Sequence, residues 1–348
     1  MSNRVINILV PVVSIIIGLI SGAVVMAVSG YDPISGYIAL WNGIFGDMWT
    51  IGNSIRTITP YILAGLAVAF AFRTGLFNIG VEGQLLMGWL AAVWVGYAFE
   101  LPRIIHLPLA LLAAAVAGAF WAFLVGYLKA RFSVHEVIAS IMLNYTALYI
   151  TNALISRISH GGYKTPTILE SASLRNDWLR SITDNSSMHL GIIVSIIMVI
   201  VMWFILQKTT LGYELKSVGF NQNAAKYAGM NVKKNIILAM TISGVFAGLA
   251  GAMEGLGTFE NASMKGAFAG IGFDGIAVAL LGANTPLGVV FGATLFGSLK
   301  FGSIEMQSIA GIPSEIVSII IALIIFFVAC GYIIRVGIEK FVKTKEGK

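Results

Sequence analysis

Apolar runs separated by short polar links fill this 348-residue chain from end to end. They fall at about 5–29, 56–72, 80–99, 106–128, 134–155, 189–206, 235–256, 272–283, 286–302 and 313–334. The runs are continuous rather than alternating, which predicts helices and argues against the period-two strands of a transmembrane β-barrel. Roughly 17–25 predominantly apolar residues suffice to span a bilayer as a helix. The pattern therefore predicts an all-α integral membrane protein, with residues 1–348 forming a single polytopic domain of about ten transmembrane helices. The eighth run is short for a full span.

Ten spans divide into five and five. If the halves are structural repeats, the odd number makes the second copy inverted, an architecture with interrupted helices near the bilayer midplane. NIGVEGQLLMGWLAA from Asn78 and GFDGIAVALLGANTPLGVVFGA from Gly272 share a glycine-punctuated, polar-then-apolar texture that fits such a pair. The stretch FRTGLFNIGVEGQLLMG, Phe72 to Gly88, shows the interruption most clearly. Gly75, Gly80, Gly83 and Gly88 weaken continuous helix. Asn78, Glu82 and Gln84 supply the hydrogen bonds that broken backbone would need. It reads as an interrupted helix at the inner end of a pathway.

A polar substrate crossing a bilayer needs hydrogen-bonding groups along its route, because aliphatic side chains offer none. By residue type and depth the candidates are Asn78, Glu82 and Gln84 at the interruption, and Asn144 and Tyr145 in the middle of the fifth run, with Asn152 further along it. Glu254 closes the seventh run, and Asp274 and Asn284 bracket the eighth. Each has a second reading. Asn144 and Tyr145 also suit interhelical hydrogen bonds that hold a bundle together. Asp274 suits a helix cap, with substrate or gate contact as the alternative. Glu82 and Glu254 stand open between the two roles. Glycine pairs such as Gly244 with Gly248, and Gly248 with Gly251, read as close-packing faces.

Composition agrees with the membrane reading: 57% of residues are hydrophobic and 11% charged, against about a quarter charged in soluble domains. The net charge of +6 lies in short links, where it reports orientation rather than a nucleic-acid partner. With the N-terminus inside, fourteen Lys and Arg fall on the cytosolic side, among them Arg4, Arg73, Lys129, Lys216, Lys226, Arg335 and Lys340, and eight on the other. Four of those eight lie in a long extracytoplasmic loop, 156–188. Both termini are therefore expected in the cytosol. The first run carries no clear small-x-small cleavage site and reads as an uncleaved span. The single Cys330 excludes an intramolecular disulfide or a cysteine metal cluster.

The cytosolic loop 208–234 carries a compact helix signature. Asn221 can cap, Asn223-Ala224-Ala225-Lys226-Tyr227-Ala228 favours helix, and Gly229 stops it. A second short helix is expected over Tyr213 to Val218. Such basic, amphipathic turns suit docking to a soluble partner, or are an ordinary positive-inside loop. Rival chemistry lacks its residues. A phosphate-cradling loop would need a Lys where Gly292-Ala293-Thr294-Leu295-Phe296-Gly297-Ser298 has Ser. His135-Glu136-Val137-Ile138 is followed by Ala139, so no zincin pair forms. No catalytic or metal-ligating constellation is expected. A secondary transporter driven by Na⁺ or H⁺ would need intramembrane carboxylates, for which Glu82, Glu254 and Asp274 are the candidates.

The segment Asn223-Ala224-Ala225-Lys226-Tyr227-Ala228-Gly229 resembles the Glu-Ala-Ala-x-x-x-Gly coupling motif of ATP-binding-cassette importer permeases, with Asn223 in place of the Glu. Glu214-Leu215-Lys216-Ser217-Val218-Gly219 ahead of it is similar to the branch that moves branched-chain amino acids, ribose-type sugars and nucleosides. Gly75-Leu76-Phe77-Asn78-Ile79-Gly80 with Glu82-Gly83-Gln84, and Gly272-Phe273-Asp274-Gly275 through Gly282, Asn284 and Gly288, resemble the nucleoside and simple-sugar permeases that work with basic-membrane-protein-type lipoprotein receptors. Three motifs in order, over roughly 50–330, carry the resemblance.

That resemblance implies a bacterial cytoplasmic-membrane permease subunit embedded in lipid. Its partners would be a second, different permease, a cytosolic ATPase and an extracytoplasmic substrate-binding lipoprotein. It implies coupling to the ATPase through Glu214, Asn223, Ala224, Ala225, Tyr227 and Gly229. This chain would bind no cofactor, ATP and Mg belonging to the ATPase. The implied substrate is a nucleoside, with a pentose or related sugar as the alternative, and the ion-coupled secondary transporter is the alternative outside the class.

Overall fold

The structure is a computed structural model that describes residues 3–331, 334 and 336. The basic residues of the extreme C-terminus, Lys340 among them, lie outside the described residues. Within them the chain is helical: α1 (Asn3–Val28), α2 (Pro33–Phe45), α3 (Met48–Phe72), α4 (Val81–Ala98), α5 (Arg103–Phe132), α6 (Glu136–Ile158), α7 (Asp177–Ile182), α8 (Gly191–Lys208), α9 (Thr210–Phe220), α10 (Gln222–Tyr227), α11 (Val232–Ala252), a π-helical turn Met253–Thr258, α12 (Ile271–Leu281), α13 (Pro286–Ala310) and α14 (Ser314–Ala329).

Every apolar run predicted from the sequence falls on a helix, but the count of spans is not reproduced. Among the described residues six helices are long and apolar enough to cross a membrane: α3, α5, α6, α8, α11 with its π-helical end, and α13. Three shorter apolar helices accompany them, Val12–Val28, Ile271–Leu281 and Ser314–Val328. Helix α2 is absent from the predicted runs. Its signal is local: Asp32 accepts hydrogen bonds from the N–H groups of Ile34 and Ser35, both 3.1 Å, and Pro33 opens the first turn, a standard helix start. Helix α3 begins well before the predicted 56, because the helix simply continues through the lone charge of Arg56.

Contacts divide the chain into two units, 1–54 with 295–348, and 55–294; the divisions fall inside α3 and α13. In the first unit α1 packs against α14, where Gly18 and Gly22 leave room for Ile324 and Ile320. The Tyr37 hydroxyl ties α2 to the Leu19 carbonyl of α1.

In the second unit α11 is the central helix, packed against α5 and α4. Its glycines make this approach possible. A Cβ on Gly244 would run into the backbone of Gly118, one on Gly248 into the Ala114 carbonyl, and one on Gly251 into the Leu85 carbonyl. The predicted close-packing face is therefore real, and it serves two neighbours at once: small residues let helix backbones meet without aliphatic padding. Phe70 and Phe246, ring centroids 5.8 Å apart, fill the core beside it.

Two non-helical links of this unit bear on the site. Residues 73–80 join α3 to α4 without helix. After the π-helical turn, 259–270 lead to α12 without helix. The segment 159–190 folds over the second of these. Thr165, Ile168 and Leu174 donate their N–H groups to the carbonyls of Ala262, Glu260 and Leu256.

Candidate functional site

The link between α3 and α4 is buried polar structure. Asn78, Glu82 and Gln84 are each fully buried. Asn78 and Gln84 bond reciprocally: Asn78 Nδ2 donates to Gln84 Oε1 and Gln84 Nε2 to Asn78 Oδ1, each at 3.0 Å. Asn78 Nδ2 also donates to Ser243 Oγ of α11 at 2.7 Å, and Ser243 donates to the Ala67 carbonyl of α3 at 2.6 Å. Gly80 N–H returns to Asn78 Oδ1. Asn144 of α6 completes the knot, donating to the Ile79 carbonyl and accepting from Gly83 N–H. Four of the nine predicted pathway residues thus meet at the start of α4. Three of them, Asn78, Gln84 and Asn144, spend their hydrogen-bonding groups on each other, on Ser243 and on freed backbone.

The fourth, Glu82, faces α12. Its two carboxylate oxygens accept from Gly270 N–H at 2.8 Å and from Gly272 N–H. The expectation that Asp274 caps this helix is thereby corrected: the capping carboxylate comes from α4, and Asp274, in the first turn of α12, accepts from the Tyr61 hydroxyl at 3.1 Å. A Cβ on Gly272 would strike the Glu82 backbone, so α4 and α12 meet start to start. Both begin Ile-Gly-x-acid-Gly, at Ile79–Gly83 and Ile271–Gly275. Two helix N-termini carry about half a positive charge each, and the Glu82 carboxylate sits where both fields add.

The remaining candidates lie apart. Tyr145 is exposed on α6 and packs edge-on against Phe268, 5.0 Å between centroids; it does not share the surroundings of Asn144. Asn284 sits with φ +53° in the turn between α12 and α13, where its carbonyl accepts from Arg73 Nε at 2.8 Å. Glu254 is buried in the π-helical turn of α11.

Around Glu254 lie residues that the sequence reading passed over. Arg56 of α3 acts electrostatically on Glu254, and Arg56 and Arg175 act on His189. His189 is buried, its Nδ1 accepting from Gly191 N–H at 3.1 Å. Its ring is pressed between Gly191 and Gly257, neither of which has room for a Cβ. In the sequence Arg56 and His189 each stand at the first residue of an apolar run, 56–72 and 189–206, and so read as span ends. Close by, Lys265 lies 4.9 Å and 5.2 Å from the ring centroids of Trp89 and Phe259, which themselves stack at 5.4 Å.

The 208–234 segment forms two consecutive helices, α9 longer than the expected Tyr213–Val218. Thr209 caps α9 through Gly212 N–H, and Asn221 caps α10 through the N–H groups of Asn223 and Ala224. Gly229 ends α10 with φ +83°. Ala225 is buried, Asn223 and Ala224 are exposed, and Tyr227 is 94% exposed. Glu214 holds α9 to α11 by accepting from Asn235 Nδ2 at 2.8 Å. A cavity of about 530 Å³ beside α10 is lined by Lys129, Asn223, Lys226, Asn231 and Lys233 among others. Gly219 of α9 lies on the backbone of Arg73 and Thr74, so closely that a Cβ there would meet the Arg73 carbonyl. The two motifs that stood out in the sequence are in direct contact.

The family described as branched-chain amino acid transport system / permease component matches residues 50–329. The chain is 62% identical over 344 residues, 99% of both chains, to guanosine ABC transporter permease protein NupP of Bacillus subtilis (strain 168). It is 41% identical to nucleoside ABC transporter permease protein NupB of Lactococcus lactis subsp. cremoris (strain MG1363), covering 98% of this chain and 95% of that one. It is 30% identical to guanosine ABC transporter permease protein NupQ of the same Bacillus, over 68% of this chain and 76% of the relative. With its helices, its buried link and its exposed 208–234 segment read beside these matches, the chain belongs to the family of branched-chain amino acid transport system permease components.

Proposed function

We propose that the chain is one of two different permease subunits of an ATP-driven importer of nucleosides. The observation that carries this reading is its 62% identity, over 99% of both chains, to a permease named for guanosine. Two permeases of one Bacillus carry that substrate in their names, at 62% and 30% identity to this chain, which supports a heteromeric pair. An ATPase binds on the side of α9 and α10, and a substrate-binding lipoprotein docks on the side of the 156–188 loop. The subunit sits in a bacterial cytoplasmic membrane with both termini cytosolic. ATP and Mg belong to the ATPase.

Contacts support a coupling route. Movement of α9 reaches the α3–α4 link through Gly219 on Arg73 and Thr74. The link passes it to α11 through Asn78 and Ser243, and to α12 through Glu82. Arg73 adds a direct tie to the α12–α13 turn. The pseudo-equivalence of Ile79–Gly83 and Ile271–Gly275, meeting start to start, supports inverted repeats whose interrupted helices form the moving part.

The test is uptake of labelled guanosine by cells or vesicles holding the permease pair, ATPase and receptor. Uptake is expected to collapse on ATP depletion and to survive loss of ion gradients at constant ATP. Uptake that follows the ion gradient, or none for any nucleoside, overturns this reading.

A further inference from the structure

Arg56 of α3, Glu254 of the π-helical turn and His189 just ahead of α8 lie in the second unit with hydrogen-bonding capacity unspent; His189 packs against Gly257 of the turn that carries Glu254, and Arg56 acts electrostatically on both. Arg56 Nε and His189 Nε2 are buried and have no hydrogen-bond partner among the described residues. His189 Nδ1 accepts from Gly191 N–H, so in the neutral ring Nε2 carries the hydrogen and is a donor in search of an acceptor. The Glu254 side chain has one long hydrogen bond, 3.4 Å from the Thr258 hydroxyl. Arg56 has one, 3.3 Å to Thr57 Oγ1. Arg56 and Glu254 act on one another electrostatically, yet among the described residues they form no ion pair.

That arrangement is costly for a purely structural role. Native proteins satisfy nearly all buried polar groups, and an unpaired one costs about 1–3 kcal/mol. The neighbouring Arg175 shows the satisfied alternative: it donates to the carbonyls of Gly257 and Thr258 and holds Glu260 at 2.8 Å. Ionisable groups inside a membrane segment that stand near an opposite charge without closing on it are arranged for a third participant.

We propose that Arg56, Glu254 and His189 form a recognition site for a purine base, with the guanine pattern of donors and acceptors fitting best. The inference rests on the nucleoside reading above. A carboxylate accepts two parallel N–H groups, and the N1–H and N2–H₂ of guanine present such a pair. A guanidinium donates in a fork, and guanine O6 and N7 are its acceptors. The His189 Nε2–H supplies one further donor, for a base or ribose oxygen. Adenine offers the carboxylate a single amino group, and uracil presents no adjacent donor pair. Gly191 lies against the Nδ1 edge of the imidazole and Gly257 against its Cδ2–Nε2 edge, so the ring is held in place.

The assembled transporter tests this. Labelled guanosine uptake is measured against unlabelled inosine, adenosine, cytidine and uridine, in wild type and in Glu254→Gln and Arg56→Lys. Both variants are expected to weaken guanosine uptake about tenfold or more, the scale of a lost bidentate contact, and to shrink its advantage over competitors that the wild type admits. Arg56→Lys keeps charge and length and carries the test if Glu254→Gln does not assemble. An equal loss for every nucleoside, or unchanged uptake and order of preference, overturns this inference while leaving the importer reading intact. A wild-type transporter that takes up no nucleoside overturns both.

Discussion

Glu82 shows how much a single side chain decides in this fold. It is a buried carboxylate whose two oxygens hold the N–H groups of Gly270 and Gly272, at the start of another helix. Its removal leaves two buried donors unpaired, each worth about 1–3 kcal/mol. Glu82→Ala is therefore expected to destabilise the subunit by about 2–6 kcal/mol, and Glu82→Gln, whose amide keeps one acceptor, by about half of that. Thermal unfolding of the detergent-solubilised protein checks the order; equal melting temperatures for all three would remove Glu82 from its capping role. At this scale the sequence showed which residues matter but not what they touch. The polarity of Asn78, Glu82 and Gln84 among glycines was legible. That Glu82 caps a helix beginning at Ile271, and that Asp274 instead meets Tyr61, depends on a contact between residues about 190 positions apart in the chain, which local pattern does not encode. Arg56 and His189 were passed over because each lies beside an apolar run and looks like its boundary.

Elements were legible where periodicity and caps agree. Asn221, the Ala-rich turn and Gly229 fix α10 in the sequence and in the structure. Helix α2 was missed because its signal is a cap, Asp32 before Pro33, rather than a long apolar run. What the sequence could not show is that α9 rests on the α3–α4 link. Gly219 has no room for a methyl group against the Arg73 carbonyl, whereas Gly229 faces open space and is constrained by its φ of +83° alone. Two glycines of one segment thus predict different outcomes. Gly219→Ala forces α9 off the link, an overpacking of about 1–3 kcal/mol, and should leave ATP hydrolysis by the assembled complex near normal while lowering uptake at least about fivefold. Gly229→Ala costs about 1 kcal/mol of backbone strain and should lower uptake less. Paired ATPase and uptake measurements on the same vesicles decide it. If Gly219→Ala transports with wild-type stoichiometry, force does not pass by this contact.

At the scale of the whole chain, the proposed orientation can be tested on the charged segments that it assigns to opposite sides. Lys216, Lys226, Lys233 and Lys234 belong to α9, α10 and the start of α11, while Arg175 on the opposite loop is tied to Glu260 at 2.8 Å and to two carbonyls. Cationic links are retained in the cytosol, whereas a neutralised arginine adds little to that bias. The orientation proposed above puts 208–234 inside and 156–188 outside, and the fold shows where to test it. It also improves the choice of reporter positions. Arg175 is a poor site for a probe because its side chain holds the loop together. Tyr163 and Tyr213 are 79% and 65% exposed, and their side chains make no hydrogen bond among the described residues. With the single native Cys330 replaced by Ser, Tyr163→Cys should react with a membrane-impermeant maleimide added to intact cells. Tyr213→Cys should react only after the membrane is opened, and should be shielded when the ATPase is bound if α9 and α10 form its proposed docking surface. Labelling of Tyr213→Cys from outside would invert the topology and with it the side on which ATP acts.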